Sequence, residues 1–220
     1  MSAFAGIQIM GTRVIFLGDK KETSVFVHNS VGKPTLLQAW IENAQGEEAD
    51  VPFLITPSLL RIESDQQAVL RILRISEENF PEDKESLFWF NAKEIPEAST
   101  GENVLQFAMT TRLKLFFRPA KLAIKVGDAY TKLSWHLSEK DQQAVLIARN
   151  PTPYFITLSS LKINGQLEVP APHMVPPFSE ATYPFDKNKI PLKQIHDVSY
   201  KIINDYGVET KVINATIPKQ

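Results

Sequence analysis

Four histidines are the residues of this chain best suited to metal ligation or acid–base catalysis. They are His28, His136, His173 and His196, and they are spread along the chain without the spacing of a metal site. The sequence has no cysteine, no Gly-rich phosphate-binding loop and no G-x-S-x-G segment. We therefore expect structural or exposed histidines, and we predict neither an enzyme, a metal site nor a bound cofactor.

Composition and charge narrow the class of protein. The 220 residues are 43% hydrophobic and 22% charged, which is normal for globular proteins and enough for one large or two ordinary domains. A net charge of −1 gives no general attraction to nucleic acid or to an anionic membrane. No apolar run approaches the roughly 20 residues of a membrane span. Residues 1–6 lack the features of a signal peptide, so the protein is either cytosolic or has lost an export leader.

One long stretch, residues 103–119, alternates between apolar and polar side chains. This period of two predicts a β-strand, and its length exceeds the usual strand of about 5–6 residues. Periodicity alone favours a strand that covers its own domain's core. The length also permits an exposed edge that pairs with another chain. The odd positions of the strand are Leu105, Phe107, Met109, Thr111, Leu113, Leu115 and Phe117.

Short strands separated by turn residues account for nearly all of the chain and predict an all-β fold. About seven strands in the first 120 residues is the count expected of an immunoglobulin-like sandwich. The pattern restarts after Pro119, and Asn164-Gly165 is a strong hairpin signal. We predict two β-sandwich domains, residues 1–119 and 120–220, with a cleft between them where a partner could bind. The predicted strands lie in residues 4–17, 23–28, 36–42, 53–55, 68–75, 85–91, 103–119, 132–137, 144–150, 154–163, 181–185, 197–204 and 208–215.

Six sequence blocks occur in an order that resembles the PapD-like periplasmic pilus chaperones of Gram-negative bacteria. The resemblance covers both predicted domains and implies two immunoglobulin-like domains in an L or boomerang arrangement. The loop between Asn91 and Asn103 is short and has no flanking cysteines. In this feature the chain resembles the branch of the family that serves rod-forming pili. The resemblance also implies a periplasmic protein whose signal peptide has been removed. The blocks are residues 11–16, 38–43, 85–91, 114–119, 150–154 and 203–207.

The resemblance implies a chaperone that binds, folds and caps pilus subunits, including a tip adhesin, and delivers them to an outer-membrane usher. A subunit of such pili lacks its last strand, and the chaperone lends one by β-strand addition. The implied donor strand carries Leu105, Phe107 and Met109, and Ile7 and Ile9 lie on a second edge strand. The alternative is an immunoglobulin-like adhesin or receptor-binding module.

Two groups of charged residues acquire roles from the resemblance. Arg13 and Lys114 lie in otherwise apolar strands, where a lone cation is ordinarily a solvated surface charge. The resemblance implies instead that they hold the C-terminal carboxylate of the subunit and so fix the register of the added strand. Glu85, Arg118 and Asp205 correspond to an ion-pair network that joins the two domains and sets their orientation.

Four further positions correspond to the surface of the first domain that meets the usher. They are Leu36, Pro57, Asn91 and Ile95, and ordinary surface or core positions are an equally good interpretation. The resemblance also implies a cis peptide bond at Thr56-Pro57. An uncapped chaperone could shield its own strand by self-association, which the sequence leaves open.

Overall fold

The structure, a computed structural model, describes residues 6–30, 32–76, 80–96, 108–140, 143–170 and 172–218. The chain forms two compact units. Unit 1 comprises Met1–Pro81 and Ser86–Ala120, and unit 2 comprises Glu82–Glu85 and Lys121–Gln220. The limits predicted from the sequence assign residues 82–85 and residue 120 differently. Each unit contains two β-sheets around its own apolar core, so the predicted all-β fold with two sandwich domains is confirmed.

Unit 1 is a sandwich of a four-stranded and a five-stranded sheet. The four-stranded sheet has the order β1-β3-β7-β5, and the five-stranded sheet has the order β2-β9-β8-β4-β6. All neighbouring strands are antiparallel except β2 and β9, which are parallel. The strands are β1 (Ile7–Ile9), β2 (Arg13–Leu17), β3 (Glu22–Asn29), β4 (Thr35–Glu42), β5 (Phe53–Thr56), β6 (Leu59–Ile62), β7 (Gln67–Arg74), β8 (Ser86–Ile95) and β9 (Thr110–Arg118).

The first predicted strand, residues 4–17, is divided in the structure. β1 pairs with β3 in one sheet, and β2 pairs with β9 in the other. The chain passes between the sheets at Met10–Thr12, where Gly11 has a φ of 111°. This positive φ suits glycine, because a side chain would be strained there. One predicted strand therefore contributes an edge to each of the two sheets.

The long alternating stretch is shorter as a strand than its sequence predicts. β9 begins at Thr110, while Ala108 and Met109 precede it; Leu105 and Phe107 lie outside the described residues. Alternation within β9 places Leu115 and Phe117 in the core of unit 1. The core-strand interpretation is therefore correct for this part of the stretch. Each such buried side chain contributes about 1.5–3 kcal/mol to stability by transfer from water.

Unit 2 is a second sandwich, with the sheets β10-β11-β15 and β13-β12-β16-β17 and with β14 paired to β12. The predicted hairpin is present, since Asn164 and Gly165 both have positive φ and Gln166 N–H donates to the Ile163 carbonyl over 3.0 Å. The prediction of a strand over residues 208–215 is wrong for the first half of that range. The elements are α1 (Val126–Ala129), β10 (Ser134–Lys140), β11 (Gln143–Asn150), β12 (Ile156–Ile163), β13 (Leu167–Glu168), β14 (Met174–Val175), β15 (Ser179–Pro184), β16 (Asp197–Ile202) and β17 (Ile213–Thr216).

Aromatic side chains form the centre of the core of unit 2. Trp135 lies between Tyr183 and Tyr200, with ring centroids 6.2 and 5.3 Å away. Both hydroxyls donate to backbone carbonyls, and burial raises the pKa of Tyr200 to about 12. The tyrosines therefore remain neutral and hydrogen-bonded inside the core.

Within the described residues, no helix has the length and apolar character needed to cross a bilayer.

A buried asparagine ends a strand in each unit. Asn29 ends β3, and its amide nitrogen donates to three backbone carbonyls. Asn150 ends β11; its amide donates to the carbonyls of Tyr154, Val175 and Pro176, and its oxygen accepts from Thr152. These amides satisfy carbonyls that strand pairing leaves unused. The sequence analysis gave neither residue a structural role.

Candidate functional site

Arg13 and Lys114 are brought side by side in the five-stranded sheet of unit 1. They are direct partners in the parallel register of β2 and β9. Their neighbours Val14 and Leu115 point into the core, so the two cations point to the outer face of the sheet. Both side chains are half-buried. The structure therefore places together the two cations that the sequence analysis selected.

The electrostatics of this pair favour an anion. Burial, and then the positive charge of Arg13, lower the pKa of Lys114 from its usual value of 10.5. Both effects mean that the protonated amine is destabilised where it lies. A carboxylate bound between the two side chains would offset that cost and accept charge-assisted hydrogen bonds from both.

An open sheet edge ends at the cation pair. β9 pairs with β8 from Thr110 onward, but β2 covers its other side only from Lys114 onward. Among the described strands, none pairs with residues 110–113 on that side. β1 is the edge of the opposite sheet. Unpaired N–H and C=O groups at such edges can add a strand from another chain.

The side chains near these edges differ in their availability. Met109, just before β9, is 55% exposed and can contact a partner. Ile7 is only 6% exposed, and Ile9 packs against the same core, so β1 offers its backbone more than these side chains. The N–H of Ile7 already donates to Glu94 Oε1 over 2.7 Å. A carboxylate that accepts from a backbone N–H leaves one group fewer on this edge for a partner strand to pair with.

The residues of the predicted interdomain network belong to different segments of the chain. Glu85 is buried in unit 2, where its backbone N–H donates to the Pro153 carbonyl and its side chain accepts from Phe155 N–H over 2.8 Å. Arg118 ends β9 in unit 1, and Asp205 lies in the turn after β16 in unit 2. A network joining the three remains a prediction.

The four predicted usher-contact positions all lie in unit 1. Leu36 of β4 and Ile95 of β8 are direct cross-strand partners and are half-buried. Pro57 is exposed, and the Thr56-Pro57 peptide bond is cis. Asn91 is 2% exposed, so its side chain offers a partner little surface. Their role in usher binding remains a prediction.

A polar cluster beside the cation pair escaped the sequence analysis. Arg112 lies on the outer face of β9, and its guanidinium is 2.7 Å from Glu42 Oε2 and 4.4 Å from the centre of the Trp89 ring. Trp40 Nε1 donates to the other oxygen of Glu42 over 2.9 Å. Two features of the sequence could have pointed to this cluster. They are the position of Arg112 two residues before Lys114 and the Trp40-x-Glu42 spacing. Contact between β9 and β4 could not be read from them.

The described residues contain no group of three or more histidine, aspartate or glutamate side chains placed to hold a metal ion. His28 lies on β3 and His136 on β10, whereas His173 and His196 lie outside the strands. The ring nitrogens of His28 and His196 contact nearby aspartates. The site therefore consists of an open edge and two cations, which is suited to binding an extended chain that ends in a carboxylate.

Comparison with known proteins matches both units to described families. Residues 6–123 match the pili and flagellar-assembly chaperone PapD N-terminal domain, and residues 128–213 match the pili assembly chaperone PapD C-terminal domain. The chain is 39% identical over 221 residues to the chaperone protein FocC of Escherichia coli, covering 98% of this chain and 92% of FocC.

Two solved structures extend the comparison. The E. coli chaperone DraB is 30% identical, with a TM-score of 0.83 and 97% of each chain covered. The Salmonella enterica chaperone SafB, solved in complex with the SafA pilin, is similar with a TM-score of 0.81, 28% identity and 98% of each chain covered.

Proposed function

The chain belongs to the PapD-like family of pilus-assembly chaperones, and from that premise we propose that it captures a pilus subunit on the open edge of β9, with the subunit's C-terminal carboxylate bound between Arg13 and Lys114. Members of this family are periplasmic chaperones and are not enzymes. The observation that carries the proposal is that the open edge ends at the two adjacent cations. A relative of the same fold, SafB, was solved with a pilin bound.

The two parts of the site have different tasks. An added strand gains backbone hydrogen bonds along residues 110–113 and apolar contact with Met109. The family resemblance implies apolar contact with Leu105 and Phe107 as well. Three such side chains would contribute about 5–9 kcal/mol by burial, whereas association costs about 4–15 kcal/mol. The carboxylate anchor therefore has to contribute affinity as well as register.

Further partners belong to the same proposal. Subunits would include a tip adhesin, and the loaded chaperone would deliver them to an outer-membrane usher through a surface near Leu36, Ile95 and Pro57, with Asn91 behind it. Without a subunit, the open edge of β9 and the exposed Met109 favour self-association. Glu85, Arg118 and Asp205 would set the orientation of the two domains.

The experiment that tests this function is co-purification. A tagged chaperone co-expressed with a pilin subunit of its pilus should yield a one-to-one complex. Arg13→Ala should reduce the yield of that complex at least about tenfold, because the carboxylate loses charge-assisted hydrogen bonds. Arg61→Ala is the matched control, since Arg61 lies on β6 at the other edge of the same sheet and pairs with Glu63. Equal yields from all three proteins would disprove the anchor.

Met109→Glu tests the apolar side of the site. We expect the free chaperone to fold normally, because Met109 is exposed, and to lose most of its capture, because a charge would be buried against the subunit. The measurement is subunit capture alongside thermal unfolding. Leu54→Glu is the control, since Leu54 is 52% exposed on β5 at the far edge of the other sheet. If both variants capture the subunit equally well, Met109 does not contact it.

A further inference from the structure

A second cation lies close to the anchor on the same face of β9. Arg112 precedes Lys114 by two residues, so the two side chains emerge about 6.8 Å apart along the strand. Arg112 also lies within the open edge, residues 110–113. A carboxylate bound at Arg112 instead of Lys114 would shift the added strand by two residues.

A shift of two residues would be a serious error in strand addition. Such a shift keeps the same side chains facing the core, so the sheet hydrogen bonds and the apolar face do not oppose it. Each side chain would nevertheless occupy the pocket of its neighbour. The chaperone therefore needs a means of making Lys114 a better anchor than Arg112.

The structure shows Arg112 engaged elsewhere. Its guanidinium contacts Glu42 at 2.7 Å and lies over the Trp89 ring at 4.4 Å. An exposed ion pair alone is worth little, but the side chain of Glu42 is only 16% exposed and is also held by Trp40 Nε1. Gly46 also lies close to the guanidinium, since a Cβ at this glycine would lie 3.2 Å from Arg112 Nη2. The guanidinium is therefore held in one orientation.

The direction of that orientation matters as much as the charge. In the sheet order β2-β9-β8-β4, Glu42 lies two strands from β9, on the side away from the open edge. Reaching Glu42 takes the guanidinium of Arg112 across β8 and away from the place where a partner strand would pair.

We propose that Glu42 is a positioning residue that determines the register of the captured strand, because it neutralises Arg112 and turns it away from the open edge. The inference rests on the proposed function, in which Arg13 and Lys114 hold the carboxylate. The side chains of Glu42 and Arg112 do not contact the subunit in this arrangement. Their role is to make Lys114 the anchor in place of Arg112, which lies two residues earlier on the same face of β9.

A gain of binding provides the first test. Lys114→Ala should lose capture of the co-expressed pilin, and adding Glu42→Gln should raise its affinity about tenfold by releasing Arg112 to bind the carboxylate. Adding Arg112→Ala as a third change should remove the gain. Glu22→Gln is the matched control for Glu42→Gln, because Glu22 pairs with Arg71 on the other sheet and should rescue nothing.

Cross-linking measures the register directly and does not depend on loss of binding. The chain has no cysteine, so Met109→Cys can be paired with single cysteines placed along the captured strand of the pilin. The Met109→Cys chaperone, which is the background for the other changes, should form a disulfide at one pilin position. Glu42→Gln should form it at a second position as well, two residues away, and Glu42→Gln with Arg112→Ala should return to one.

The outcomes separate the two proposals. If Lys114→Ala captures the pilin as well as the parent, the carboxylate anchor is wrong and the proposed function changes. If Lys114→Ala loses capture, but Glu42→Gln neither rescues it nor adds a second cross-link, the anchor stands and the role of Glu42 is disproved. Thermal unfolding of each variant checks that every variant is folded. Arg112→Ala alone should keep the register of the parent chaperone.

Discussion

Replacing Lys114 by methionine is expected to abolish subunit capture and to raise the melting temperature of the free chaperone. Capture should fall at least about tenfold, because the carboxylate loses one of its two cations. Stability should rise because burial and Arg13 already lower the pKa of Lys114, so its charged form is destabilised in the folded chain. The measurements are co-purification of a pilin and thermal unfolding of the free protein.

Lys93→Met is the matched control for this prediction. Lys93 is an exposed cation of β8 in the same sheet, and its loss should change neither capture nor stability appreciably. A Lys114→Met protein that is less stable than the parent would show that Lys114 stabilises its own domain. A Lys114→Met protein that still captures the subunit would show that the carboxylate is held elsewhere.

The same lowered pKa predicts how pH acts on the site. A bound carboxylate favours the protonated amine, so affinity should be full below the pKa of Lys114 in the free chaperone and fall as pH rises through it. The stability of the free chaperone should depend on pH in the opposite direction. Between that lowered pKa and 10.5 the folded state binds fewer protons than the unfolded state, so stability increases with pH. Lys114→Arg should flatten both dependences.

Replacing Asn150 by alanine is expected to destabilise unit 2 strongly. The side chain is fully buried and bonds to four residues around the end of β11. Its removal leaves several buried carbonyls without donors, at about 1–3 kcal/mol each, so a loss of about 3 kcal/mol or more is expected. Urea unfolding followed by tryptophan fluorescence measures it, with the two domains resolved as separate transitions. Trp40 and Trp89 report on unit 1, and Trp135 reports on unit 2.

Asn214→Ala is the control for this change, because Asn214 is an exposed residue of β17 and should alter stability by no more than about 0.5 kcal/mol. Asn29→Ala should produce the corresponding loss in unit 1. If Asn150→Ala shifts the transition no further than Asn214→Ala, the hydrogen bonds at the end of β11 are replaced by water at little cost.

Much of the fold could be predicted because its signals are local. Alternation predicted the core face of β9, and the Asn164-Gly165 pair predicted the hairpin between β12 and β13. The division of residues 4–17 between two sheets could not be predicted, because both halves have strand-like patterns. Which sheet each half joins depends on partner strands far away in the chain. Because the chain changes sheets here, each of the two sheets is left with an open edge.

The candidate site shows the same limit. The sequence by itself determined that Arg13 and Lys114 are cations in apolar strands, and family resemblance selected them as a pair. Only the tertiary structure decided that they are adjacent, and that Arg112 reaches Glu42, 70 positions away. Side-chain period and turn chemistry are properties of neighbouring residues, whereas the register of distant strands follows from the packing of the whole unit.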